Sequence, residues 1–136
     1  MIKLKNIHKK YDEQDALRGV DLTINPGECV VLIGPSGCGK SSLLKSINRM
    51  IEIDEGTIEV FNKNINDYKV EDLRRKIGYC IQGVGLFPHL SVKENIAIVL
   101  RILKWNENDI NIRVNDLLEM TDLSPSYINK KPHELS

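Results

Sequence analysis

The run Gly34-Pro35-Ser36-Gly37-Cys38-Gly39-Lys40-Ser41 constrains this chain more than any other feature. It fits the phosphate-binding pattern G-x-x-x-x-G-K-[ST], in which glycines let backbone N–H groups converge on phosphate oxygens. Average residue usage produces the pattern by chance in roughly 0.5% of chains this long. An ordinary glycine-rich turn with an exposed lysine is therefore the weaker explanation, and the flanks weaken it further. Residues 29–33, Cys-Val-Val-Leu-Ile, are apolar throughout and mostly β-branched, which predicts a strand buried on both faces of a parallel sheet. Residues 40–50 carry Leu43, Leu44, Ile47 and Met50 at helical spacing. Strand, loop, helix is the order the chemistry requires. The helix N-terminus adds a positive field, Lys40 reaches the β- and γ-phosphates, and the Ser41 hydroxyl binds Mg²⁺.

Around this motif the chain reads as α/β. Ile2 and Leu4 open one strand; Val20, Leu22 and Ile24 alternate along a second that ends at Pro26-Gly27. A turn at Asp54-Glu55-Gly56 precedes a strand over 57–60, and a short helix over 70–75 leads into a strand over 77–81. Beyond residue 90 the pattern turns helical. Ser91 and Glu94 form a capping box, with Val92, Ile96, Val99, Leu100 and Leu103 on one face. Ile110, Val114, Leu117 and Leu118 mark another helix, and Ser124-Pro125 opens a third, short one.

Composition excludes several classes. Nineteen basic residues balance nineteen acidic ones among 136, which leaves no electrostatic footprint for nucleic acid. Apolar runs fall far short of the about 20 residues a membrane span needs. Three cysteines (Cys29, Cys38, Cys80) and three scattered histidines give neither a disulfide framework nor a zinc site, as in a reduced, cytosolic chain. A phosphate loop alone leaves GTPases, small kinases and many ATPases open. The nearest approach to the guanine-reading Asn-Lys-x-Asp is Asn129-Lys130-Lys131-Pro132, with proline where aspartate belongs.

Further motifs narrow the field. Lys9-Lys10-Tyr11 precedes the loop, Ile77-Gly78-Tyr79-Cys80-Ile81-Gln82 follows it, and Pro132-His133-Glu134-Leu135-Ser136 closes the chain. Together these resemble the adenine-stacking aromatic, the glutamine loop and the approach to the Leu-Ser-Gly-Gly-Gln signature of ABC transporter ATP-binding subunits. Leu73-Arg74-Arg75-Lys76-Ile77-Gly78-Tyr79 and Gly85-Leu86-Phe87-Pro88-His89 are similar to importers of glycine betaine and related osmoprotectants, with amino-acid importers as near neighbours.

The resemblance implies an α/β P-loop NTPase core of the ABC ATPase type, with N-terminal antiparallel strands and a helical segment. It implies a nucleotide-binding part over 1–90, with its loop at 34–41, and a helical subdomain over 91–136. Tyr11 stacks on adenine; Gly34, Pro35, Ser36, Gly37, Cys38, Gly39, Lys40, Ser41 and Ser42 form the nucleotide cradle. Cys38 is a small filler within it. Ser41 and Gln82 serve Mg²⁺, and Ser136 contacts the ATP of a partner subunit. The implied ligands are ATP and Mg²⁺. The implied partners are a second copy and a membrane permease, at the inner face of the cell membrane.

The sequence departs from the pattern in one respect. It stops at Leu135-Ser136, and no run of four apolar residues ending in Asp follows the loop. The strand that carries the water-activating glutamate, and the switch histidine beyond it, are missing; His89 and His133 stand elsewhere in the pattern. A C-terminally truncated cassette with an incomplete sheet is expected. It is expected not to hydrolyse ATP alone, to associate with itself, or to serve only as a non-hydrolysing nucleotide-binding or interaction fragment.

Overall fold

The computed structural model describes residues 1–83 and 85–135. The chain divides into two units, Met1–Gly78 and Tyr79–Ser136.

In the first unit, β1 (Ile2–Tyr11), β2 (Gln14–Ile24), β3 (Glu55–Val60) and β4 (Lys63–Asn64) form one four-stranded sheet in the order β2-β1-β3-β4. Every pairing is antiparallel. Two helices complete the unit, α1 (Lys40–Ile47) and α2 (Val70–Arg75).

Strict alternation would put Leu4 and Ile7 on opposite faces of β1, yet both are buried in the core. A register shift between them re-aims Ile7, with Asn6 at φ 51° donating its N–H to Asp21 Oδ1 at 3.0 Å. Opposite the bulge stands Gly56, at φ +100°; a Cβ there would lie 2.3 Å from the Asn6 carbonyl oxygen. Glycine is what lets β3 approach. Leu4, Ile7, Leu17, Ile58 and Val60 of the sheet then pack against Leu43 and Ile47 of α1, Ile65, and Leu73 of α2.

The α1 helix is shorter than its pattern. Arg49 takes a left-handed φ of 53° just past the helix, so Met50 falls outside it and stays half exposed, as does Leu44 at the rim. Arg74 of α2 closes this end by donating to the carbonyls of Asn48 (3.2 Å) and Arg49 (2.6 Å).

Two expected strands do not form. Residues 29–33 and 77–81 enter no ladder. Leu32 packs against the core, whereas Val31 is 72% and Ile33 92% exposed. An all-apolar strand needs a backbone partner and cover on both faces. Among the described residues, no strand pairs with this segment and only one of its faces is covered.

The second unit is helical. Its helices are α3 (Val92–Ile102) and α4 (Glu107–Met120), followed by 3₁₀ turns at Pro125–Tyr127 and Pro132–Glu134. Ala97, Ile110, Val114 and Leu118 form its core, with Val92, Ile96, Leu100 and Ile128 against them. The small Ala97 is fully buried in this core, whereas Val99 and Leu103, both expected inward, are exposed.

The capping box forms as read. Glu94 N–H donates to Ser91 Oγ at 3.2 Å, and Ser91 N–H to Glu94 Oε2 at 2.7 Å. That N–H, with the Ser91 hydroxyl, holds the Glu94 carboxyl below the usual carboxylate range. The next two donors of the first turn, Val92 and Lys93 N–H, reach the carbonyls of Lys130 (2.8 Å) and Ile128 (3.0 Å).

Candidate functional site

The glycine-rich loop ends where α1 begins. Gly39, the residue before the helix, has φ +93°, and a Cβ on it would meet the Ala16 carbonyl oxygen at 2.2 Å. Only glycine fits between the helix start and the backbone of β2. This approach locates the loop. Ala16 stands two residues beyond Gln14, and Gln14 pairs with Tyr11 across the β1–β2 hairpin. One end of the hairpin therefore carries both Tyr11 and the residue against which the loop rests.

Lys40 curls back over the loop. Its Nζ donates to the carbonyls of Gly34 and Pro35, each at 2.7 Å, and lies 3.3 Å from Cys38 Sγ. Gly34 leaves the space this thiol needs, since a Cβ there would sit 2.7 Å from the sulfur.

At the start of α1 no side chain caps the helix and no acidic residue occupies the first turn, among the described residues. The first-turn N–H groups thus have no capping side-chain acceptor. Residues 34–38 and Ser41 are exposed, and Gly39, Lys40 and Ser42 are half-buried. Uncapped first-turn N–H groups, one ammonium and an open face fit a polyphosphate anion.

Tyr11 is half exposed at the end of β1, beside a turn in which Asp12 has φ 50°. Lys9 Nζ lies 5.6 Å from its ring centroid. That ammonium is held at 2.8 Å by Asp54, which also accepts the Lys10 N–H at 2.6 Å. These contacts, Lys9 first, hold the Asp54 carboxyl below the usual carboxylate range.

The two remaining site residues, Gln82 and Ser136, fall in the second unit. Gln82 lies in an exposed segment that is not the strand end expected for it. Ser136 lies outside the described residues. Sequence reasoning missed Asp54 and Ala16. Asp54 is 45 residues from Lys9 in a plain turn, and Ala16 acts through its carbonyl, so neither carries a motif.

A loop of phosphate-binding sequence that rests on β2 and opens an amphipathic helix marks a protein of the P-loop class. The family is shown by a match over residues 17–136 to the ABC transporter model, and the chain belongs to that family. The described residues carry part of the ATPase cassette fold: its antiparallel sheet, the helix after the phosphate loop and a helical unit, with the sheet left unclosed.

Among its relatives is the choline transport ATP-binding protein OpuBA of Bacillus subtilis, 45% identical over all of this chain and 36% of that protein. The glycine betaine/carnitine/choline transport ATP-binding protein OpuCA of the same organism is 44% identical, with the same coverage. A solved dimeric ATP-binding cassette, MJ0796 in a post-hydrolysis state bound to ADP and Pi, is 34% identical with a TM-score of 0.83. It matches over all of this chain and 63% of its own. The chain spans about a third of the length of the curated relatives it matches. No helix among the described residues is long and apolar enough to cross a membrane.

Proposed function

We propose that this chain is the nucleotide-binding part of an ABC importer ATPase that powers uptake of a small osmoprotectant. Glycine betaine, carnitine, choline or proline are the candidate solutes. The observation that carries the nucleotide reading is the seat of Gly39 against Ala16, which gathers the phosphate loop and Tyr11 at one end of one hairpin. The solute class is supported by the transport named for the two relatives above.

The loop backbone and Lys40 bind the phosphates, Ser41 takes Mg²⁺, and Tyr11 stacks on adenine. Bound Mg-ATP supplies the phosphoryl-transfer energy on which transport runs. Gln82 belongs to the Mg²⁺ shell, and Ser136 reaches the nucleotide of a second copy in a homodimer. Residues 1–90 serve nucleotide binding; residues 91–136 dock on the permease at the cytoplasmic face of the membrane.

Binding and turnover separate in this 136-residue chain. Phosphoryl transfer needs a positioned water and a carboxylate besides the phosphate cradle. No acidic residue after the loop follows an apolar strand pattern. Mg-ATP titrated calorimetrically is expected to bind with no phosphate release above background. Lys40-dependent phosphate release would contradict the separation, and absence of binding would contradict the nucleotide reading.

The chain also associates with itself. The exposed Val31 and Ile33 line a hollow of about 360 Å³ together with Leu17, Val20, Leu43 and the loop residues Cys38 and Lys40. An unpaired apolar segment over such a hollow favours pairing between chains. Light scattering is expected to give a mass that rises with concentration and falls toward the monomer in Ile33→Asp. A concentration-independent monomer of the parent chain would refute this.

A further inference from the structure

Lys9 is half of an ion pair that ends against an aromatic ring. Its side chain is only 16% exposed, its ammonium contacts Asp54 at 2.8 Å, and the same ammonium stands 5.6 Å from the Tyr11 centroid. Asp54 is itself fixed to β1 twice, accepting the Lys10 N–H at 2.6 Å and donating its own N–H to the His8 carbonyl at 2.9 Å. A flexible lysine stem is thereby anchored at its tip by a carboxylate that two backbone contacts hold in register. A cation within about 6 Å of an aromatic face is attracted to it, more strongly when its solvation is reduced.

From this geometry we propose that Lys9 and Asp54 are positioning residues for nucleotide base recognition: the pinned ammonium fixes the Tyr11 ring and reserves its free face for a purine. The proposal rests on the reading of Tyr11 as the adenine-stacking residue. Without the pair, the ring at the hairpin tip samples several rotamers, and the freedom it loses on binding weakens the complex. With it, the ring is set before the base arrives. Polarisation by the cation also draws electron density from the face offered to an electron-rich purine.

The phosphates serve as the internal control, because their cradle lies in residues 34–42 and contains neither Lys9 nor Asp54. Mg-ATP and Mg-tripolyphosphate are titrated calorimetrically into the 136-residue chain and into Lys9→Met, Lys9→Arg, Asp54→Asn, Tyr11→Ala and the Lys9→Met/Tyr11→Ala double variant. Thermal melts verify that each is folded.

Lys9→Met is expected to weaken Mg-ATP about threefold to tenfold while leaving tripolyphosphate unchanged. Asp54→Asn should act in the same direction, and Lys9→Arg should retain most of the affinity, since a guanidinium also pairs with a carboxylate over a ring. In the Tyr11→Ala background Lys9→Met should add nothing.

Equal losses for ATP and tripolyphosphate would make Lys9 a general phosphate attractor and overturn the proposal. Additive losses in the double variant would overturn it too, as would unchanged ATP affinity in Lys9→Met. An unchanged affinity in Tyr11→Ala would instead refute the stacking reading beneath it.

Discussion

Lys40→Ala is expected to bind Mg-ATP at least tenfold more weakly than the parent chain. The ammonium is the loop's only cationic side chain, and its position is set by two carbonyls at 2.7 Å. A hydrogen bond to a charged group contributes about 1.5–3 kcal/mol, and about 1.4 kcal/mol corresponds to tenfold in affinity. Lys40 can offer several such bonds to a triphosphate, so one lost bond sets the lower bound. Calorimetric titration of both chains measures the difference. Equal affinities would remove the loop from the binding site.

Gly39→Ala is expected to cost the chain much of its stability. At φ +93° an alanine is strained by about 1–2 kcal/mol, and its Cβ would press on the Ala16 carbonyl at 2.2 Å. Backbone cannot yield as a flexible side-chain tip can. Either β2 or the start of α1 must move, and moving α1 disturbs Leu43 and Ile47 in the core. The expected loss exceeds about 3 kcal/mol, since disrupted core packing adds to the strain. Gly37→Ala is the control: its φ is +81°, but a Cβ there meets nothing within 4 Å. Urea unfolding should place Gly39→Ala well below Gly37→Ala. Matching midpoints would mean that backbone strain alone matters and that the contact with β2 carries no weight.

Where local pattern and packing agree, the fold was legible. The alternation in β2, the cap at Ser91 and the span of α2 follow from side-chain spacing and hydrogen-bond chemistry close in sequence. Residues 29–33 were misread for a physical reason. Their composition records the neighbours a strand requires, and composition is silent on whether those neighbours lie within this chain. The same holds for 77–81 and therefore for the setting of Gln82. The bulge that turns Ile7 inward breaks the period that strand reading depends on, and it becomes visible only through Asn6, Asp21 and Gly56 together.

In the candidate site, the motif over residues 34–41 is legible in sequence because its glycines, lysine and serine are contiguous. Tyr11 enters the candidate site through family resemblance alone. The pair that holds it, Lys9 with Asp54, is assembled by strand register between β1 and the turn before β3, across a sequence separation no short motif spans.

Hydrogen exchange measured by mass spectrometry, with and without Mg-ATP, tests the central claim that loop and hairpin tip form one nucleotide site. Slower exchange is expected in peptides covering residues 34–42 and in those covering 11–14, together and at the same ATP concentration, and in neither for Lys40→Ala. Saturating Mg-ATP that leaves exchange in 34–42 unchanged, or protects only peptides of the second unit, would contradict the account.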